Sequence, residues 1–233
     1  MSKGKIIVIE GTDCSGKETQ SNMLLDALNQ NGKKTIKMQF PMYDTPTGKI
    51  VGGPYLGKSF LCDGYFPEGA SHVDPKVAVL YYAADRKYNI HKIINAINEG
   101  TNVILDRYVD SNMAHQAGKI KDDIEQNEMI SWLEKLEYDF LELPRPDTTI
   151  FLHMPYEAAL VLKAGREEKP DQHEADPEHL KCAENVYLKL AKRYYYDTVE
   201  CTENGRIKTV DEIADEVYKI VYNKYFFEGV DNE

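Results

Sequence analysis

The run Gly11-Thr12-Asp13-Cys14-Ser15-Gly16-Lys17 combines glycines, which let successive backbone N–H groups converge, with a lysine that adds a full positive charge. A short apolar stretch precedes it and a helical period follows, the context in which such a loop cradles phosphate at a helix N-terminus. Gly11, Cys14, Ser15, Gly16, Lys17, Glu18 and Thr19 are the residues placed to hold the phosphates of a nucleotide. The pattern G-x-x-x-x-G-K-[ST] wants a hydroxyl after the lysine to hold Mg²⁺. Here Glu18 stands in that place, followed by Thr19. Glu18 is therefore either a substitute metal ligand or a surface carboxylate turned away.

A second set of residues suits the partner of that phosphate. Asp106 and Arg107 end an apolar run of strand length, where ligands of open α/β sheets gather. Tyr82 and Arg86 lie four residues apart and so share one helix face.

These residues need a scaffold that brings them to one edge. Apolar runs of strand length recur at Lys5–Glu10, Thr35–Phe40, Asn102–Asp106, Thr148–His153 and Arg206–Val210. Helical periodicity fills Lys17–Asn31, Pro75–Glu99, Asp122–Leu141, Tyr156–Ala164, Pro177–Tyr196 and Asp211–Tyr225. The alternation predicts an α/β fold, a single-domain P-loop fold with a five-stranded parallel sheet flanked by helices, over residues 1–227. Asp74-Pro75 reads as N-cap then N1, and Gly32 and Gly100 as helix stops. Pro41–Asp74 carries Gly52-Gly53-Pro54 and reads as a long loop with one short helix, while the charged stretch 165–176 reads as a short lid. Residues 228–233 read as a frayed tail.

Composition bounds the partners. The 233 residues carry a formal net charge of −11, which argues against a nucleic-acid polymer as ligand. The charge is unevenly spread: residues 1–120 hold 14 basic and 12 acidic side chains, and residues 121–233 hold 14 and 27. An anionic ligand is cheaper to hold in the first half. Cys14, Cys62, Cys182 and Cys201 lie far apart, fitting reduced thiols in a cytoplasmic protein, and no apolar segment suits a membrane span or export signal.

Four blocks together resemble the thymidylate kinase family. Gly11 to Gln20 is similar to its phosphate loop, Leu80-Tyr81-Tyr82-Ala83-Ala84-Asp85-Arg86 to its base-binding helix, Asp106-Arg107-Tyr108-Val109-Asp110-Ser111-Asn112 to its D-R-[YH] block, and Leu143-Pro144-Arg145-Pro146-Asp147 to the segment before its fourth strand. The blocks keep the family's order over about residues 4–220. The resemblance implies that Asp13 touches the acceptor's 3′-hydroxyl, Tyr82 stacks on the base, Arg86 bonds the base edge and Arg107 grips the acceptor phosphate. Asn112 and Gln116 become nucleoside contacts. His115 stands where many members carry an aromatic that senses the sugar, and Tyr43 is the one donor in a loop, Phe40–Tyr43, where an arginine is common. Arg166 would be the lid's catalytic cation beside Lys17 and Arg107, and Asp106 would organise Mg²⁺.

The implied reaction is transfer of the ATP γ-phosphoryl to a pyrimidine deoxynucleoside monophosphate, dTMP above all, by a cytoplasmic homodimer without membrane or nucleic-acid partners. A kinase for dUMP or a modified pyrimidine nucleotide, or a nucleotide-binding protein with little kinase activity, are the alternatives that His115, Glu18 and the arginine-poor lid leave open.

Overall fold

The structure is a computed structural model that describes residues 3–163 and 176–227. The expected tail, most of the expected lid and Arg166 lie outside the described residues. Strand β1 (Ile6–Gly11) is buried along its whole length, and its β-branched run is what a strand covered on both faces requires. It is flanked by β3 (Asn102–Asp106) and β4 (Thr148–His153), with β2 (Thr35–Gln39) and β5 (Asp197–Glu200) at the edges, every pair parallel. Side chains alternate across that sheet. Ile6, Val8, Val103, Leu105 and Phe151 pack on one face against α3 (Pro75–Asn98), α4 (Val109–Ala117), α5 (Asp123–Glu134) and α7 (Pro177–Tyr194). Ile7, Ile9, Ile104, Ile150 and Leu152 pack on the other against α1 (Lys17–Gln30) and α8 (Val210–Tyr225). A short helix, α2 (Pro46–Ile50), which runs on into a π-helical turn, Val51–Tyr55, follows β2, and α6 (Tyr156–Lys163) follows β4.

The punctuation read from the sequence operates as expected at α3. The Asp74 carboxylate accepts from the backbone N–H groups of Lys76 and Val77, satisfying two orphan donors of the first turn. Gly32 and Gly100 take φ of 70° and 76° just beyond their helices, a conformation that strains any residue with a Cβ.

Three elements depart from the sequence reading. The fifth strand is Asp197–Glu200 rather than Arg206–Val210; Arg206–Ile207 instead pairs antiparallel with Thr202–Glu203 in a two-stranded hairpin. Only Val199 of the true edge strand is buried, so it shows no apolar run, whereas the hairpin segment does. Helix α4 carried no readable period because Val109, Asp110, Asn112, Met113, Ala114, Gln116 and Ala117 are all buried, polar and apolar alike. The helix expected over Asp122–Leu141 runs as α5 to Glu134 and then widens into a π-helical turn, Lys135–Phe140, which carries the buried Glu137 toward Arg86.

No helix among the described residues is long and apolar enough to cross a membrane.

Candidate active site

The phosphate loop joins β1 to α1. Gly16 sits at the helix N-cap with φ of 78°, and Cys14 also adopts a left-handed backbone at 61°. Lys17 is buried, and its Nζ donates to the carbonyls of Gly11 and Thr12 at 3.1 and 2.8 Å, so the ammonium curls into the loop it charges. Burial, and next the Arg107 guanidinium, lower its pKa to about 8, with Asp13, Asp106 and Glu10 acting the other way. The buried Ser15 hydroxyl has no hydrogen-bond partner. Glu18 and Thr19 are exposed on the first turn of α1. The loop is strapped to the end of β4 by Thr12, whose hydroxyl donates to the Met154 carbonyl at 2.7 Å and accepts from the Met154 N–H at 3.1 Å.

The chain after β3 turns sharply. Arg107 has φ of 66°, a strained value for a residue with a side chain. Buried Glu10 holds that turn: its Oε1 accepts from the backbone N–H groups of Tyr108 and Ser111, at 2.8 and 3.1 Å. The turn aims Arg107 back across the phosphate loop, where Nη2 meets Asp13 Oδ1 at 3.0 Å and Nη1 meets Ser111 Oγ at 3.3 Å. Burial alone would raise the Asp13 carboxyl, but Arg107, then Lys17 and His115, hold it well below the usual carboxylate range. Burial likewise opposes the charge on Arg107; Tyr187, Asp13, Glu10 and Asp106 outweigh it and hold the guanidinium protonated.

A cavity of about 130 Å³ opens beside this pair. All eight residues expected on the acceptor side, Asp13, Tyr43, Tyr82, Arg86, Arg107, Asn112, His115 and Gln116, line it. Arg86 is fully buried, and its Nε donates to Glu137 Oε2 at 2.9 Å while Nη2 bonds Glu137 Oε1. That carboxylate fixes the guanidinium plane, leaving Nη1, 3.4 Å from the Tyr108 carbonyl, as the end toward the turn after β3. Gln116 has neither solvent exposure nor, at either polar atom of its amide, a hydrogen-bond partner, and Asn112 Oδ1 is orphaned in the same way. Buried amides are almost always satisfied, so these atoms point to a ligand that completes them. His115 Nδ1 lies 3.1 Å from His179 Nε2 on α7, and the two rings stack at 5.3 Å.

The sequence reading missed some of this lining. Lys58, from the long segment after β2, lines the cavity and sets its Nζ 5.6 Å from the centre of the Tyr43 ring. Gly52 lets the Tyr43 ring close down, since a Cβ there would meet Tyr43 Cδ1 at 2.7 Å. Ser111, Leu56 and Phe40 also line the cavity. Only Ser111 carried a readable signal, as part of the Asp106–Asn112 block.

Asp106 ends β3, nearly buried and close enough to Lys17 and Arg107 to favour the charge on both. Among the described residues no group of three or more His, Cys, Asp or Glu side chains forms a metal cage. A single carboxylate beside a phosphate loop is nonetheless a donor set that suits Mg²⁺, which keeps waters and takes its other oxygens from substrate phosphates.

A phosphate loop at the end of a central parallel strand, with an aromatic- and amide-lined cavity against it and an arginine bridging the two, is the construction of a nucleoside monophosphate kinase, a phosphotransferase. The thymidylate kinase family model matches residues 9–213. The chain is 28% identical over 230 residues to a thymidylate kinase of Schizosaccharomyces pombe, covering 99% of this chain and 97% of that protein. It is 32% identical over 221 residues to one from Sulfurihydrogenibium, covering 94% and 95%. Its fold matches a thymidylate kinase structure from Candida albicans with a TM-score of 0.73 at 24% identity, covering 96% of this chain and 93% of that one. The chain belongs to the thymidylate kinase family, whose reaction is the ATP-dependent phosphorylation of dTMP to dTDP.

Proposed function

We propose that dTMP is phosphorylated by this chain with Lys17 and the amides of Gly11–Gly16 holding the donor phosphates and Arg107 holding the acceptor phosphate. The observation that carries this assignment is the gathering of all eight acceptor-side residues around one cavity that abuts the phosphate loop, with the orphaned amide of Gln116 inside it. Tyr82 offers a ring for the base, Arg86 and Asn112 its polar edge, and Asp13 with His115 the sugar. Phosphoryl transfer asks for in-line positioning and charge neutralisation rather than covalent chemistry. The acceptor phosphate is already an anion, so no general base is needed.

Mg²⁺ bound to the donor phosphates would neutralise charge developing in the transfer, and Asp106 is the residue to orient it. Exposure of Glu18 favours its reading as a surface carboxylate. Arg166 remains the proposed lid cation. The described α3 face exposes Val77, Leu80 and Tyr88, which supports a homodimer built through that helix, and the unbridged cysteines suit a cytoplasmic setting.

The test is ADP release with ATP, Mg²⁺ and a panel of nucleoside monophosphates that includes dTMP, dUMP and TMP ribonucleotide. dTMP is expected to give the highest kcat/KM; release at background with every acceptor would remove the assignment. In the same assay Glu18→Ala should leave the Mg²⁺ titration unchanged, and a markedly weaker Mg²⁺ dependence would restore Glu18 as a ligand.

A further inference from the structure

Tyr187 lies on α7, remote in sequence from every block that points to the site, and is 1% exposed. Its ring is fixed by the core: it stacks on Phe151 of β4 with centroids 5.3 Å apart and planes 17° apart. The hydroxyl is its single polar side-chain atom, and burying it unpaired would cost free energy. It is not unpaired. Tyr187 Oη donates to Glu10 Oε2 at 2.9 Å and lies 3.0 Å from Ser111 Oγ. Ser111 Oγ itself donates to Glu10 Oε2 at 2.6 Å, and accepts from Arg107 Nη1 at 3.3 Å.

The three oxygens form a triangle, and every member has a further duty. Glu10 uses its other oxygen to hold the backbone of the Arg107 turn, and Ser111 uses its lone pair to hold the Arg107 side chain. With Oε1 taken by the two backbone N–H groups and Oε2 by the two hydroxyls, the Glu10 carboxylate is saturated. That is how a carboxyl group can be accommodated with no solvent exposure. Tyr187 supplies the one corner of the triangle that comes from outside β1 and the turn after β3. Its ring, clamped by Phe151, cannot follow a drift of Ser111 or Glu10.

We propose that Tyr187 is a positioning residue for the acceptor phosphate: through Glu10 and Ser111 it fixes the rotamer and turn that aim Arg107 at the incoming nucleotide. The proposal rests on the assignment of Arg107 to that phosphate. Without the hydroxyl, Glu10 Oε2 keeps only Ser111 as a donor, and Ser111, which meets Arg107, loses the fixed oxygen packed 3.0 Å from it.

The experiment compares Tyr187→Phe, Arg107→Ala and the double variant by steady-state kinetics. Tyr187→Phe keeps the ring stack and removes one oxygen. It should raise KM for dTMP roughly three- to tenfold, the scale of losing one hydrogen bond to a charged network, with KM for ATP unchanged. In the Arg107→Ala background the same substitution should add nothing further, because the two act on one contact. A purely structural role for the hydroxyl would lower the melting temperature while leaving KM for dTMP alone, and that result overturns the proposal. So does an equal rise in KM for dTMP with and without Arg107. If Arg107→Ala itself leaves KM for dTMP unchanged, it is the assignment of Arg107 that falls, and the proposal with it. Should Tyr187→Phe not fold, Phe151→Leu, which loosens the clamp on the Tyr187 ring without touching Glu10, Ser111 or Arg107, is read against the same outcomes.

Discussion

Arg107 Nη2 stands 3.0 Å from Asp13 Oδ1, so the arginine after β3 and the carboxylate inside the phosphate loop form an ion pair at the edge of the cavity beside the loop. The pair is half-withdrawn from water, with 27% and 13% of the two side chains exposed. A carboxylate inside an anion-binding loop is unfavourable alone; Arg107 is the largest of the charges that make it tolerable.

If Asp13 touches the acceptor's sugar, Asp13→Asn should narrow the preference for dTMP over its 3′-deoxy analogue. The ratio of kcat/KM for the two acceptors is the readout. A ratio that stays at the wild-type value would place Asp13 on Arg107 alone.

Stacking of a base on an aromatic ring is worth about 1–3 kcal/mol. Tyr82→Ala is therefore expected to raise KM for dTMP roughly tenfold or more and leave KM for ATP unchanged. Gln116→Leu, which fills the same volume without polar atoms, should also act on dTMP alone. Equal effects on both substrates count against the cavity as the acceptor site.

Arg86 and Glu137 make the most deeply buried ion pair among the described residues, with side chains 2% and 0% exposed. Removing one partner leaves an uncompensated buried charge and costs about 3–5 kcal/mol. Glu137→Ala should thus lower the denaturation midpoint strongly, and a variant as stable as wild type would show that Arg86 finds another partner. Acceptor binding should weaken as well, since Glu137 sets the guanidinium plane.

Lys17 predicts opposite pH trends for activity and stability. With its pKa lowered to about 8 by burial and then by Arg107, the free enzyme loses the ammonium as pH rises through that value. kcat/KM for ATP should fall there by up to tenfold per unit. The folded-state pKa lies below the unfolded one, so between about 8 and the ordinary lysine value the unfolded chain binds more protons, and stability rises with pH. Burial lowers the Lys119 pKa to about 8 as well, so Lys17→Met should reduce that rise in a melting series from pH 7 to 10 without removing it; a rise of undiminished size would assign the titration to Lys119 alone.

How much of this was legible in the sequence depends on how local each signal is. The phosphate loop is one contiguous stretch whose glycines, lysine and flanking period speak together, so its place between β1 and α1 could be read directly. Tyr82 with Arg86, and Asp106 with Arg107, were readable as pairs on one element. Glu137 was not, because its partner lies 51 residues away and the π-helical turn that aims it leaves no compositional mark. Lys58 was hidden in a glycine-rich loop whose folding depends on α3, and Tyr187 looked like one more apolar position of an amphipathic helix. Helix α4 is buried on nearly all sides, which erases the period by which helices are recognised. The fifth strand failed for the opposite reason, being a short edge with a single buried residue.

The placement of β1 carries one last consequence. Its end hands Glu10 to the turn after β3 on one side and Thr12 to the end of β4 on the other. The phosphate loop and Arg107 are thus both surveyed from a single datum line at the centre of the sheet. Whatever the surrounding loops do, the offset between the phosphate loop and the Arg107 turn is set by inter-strand spacing, one of the least compliant lengths a protein possesses.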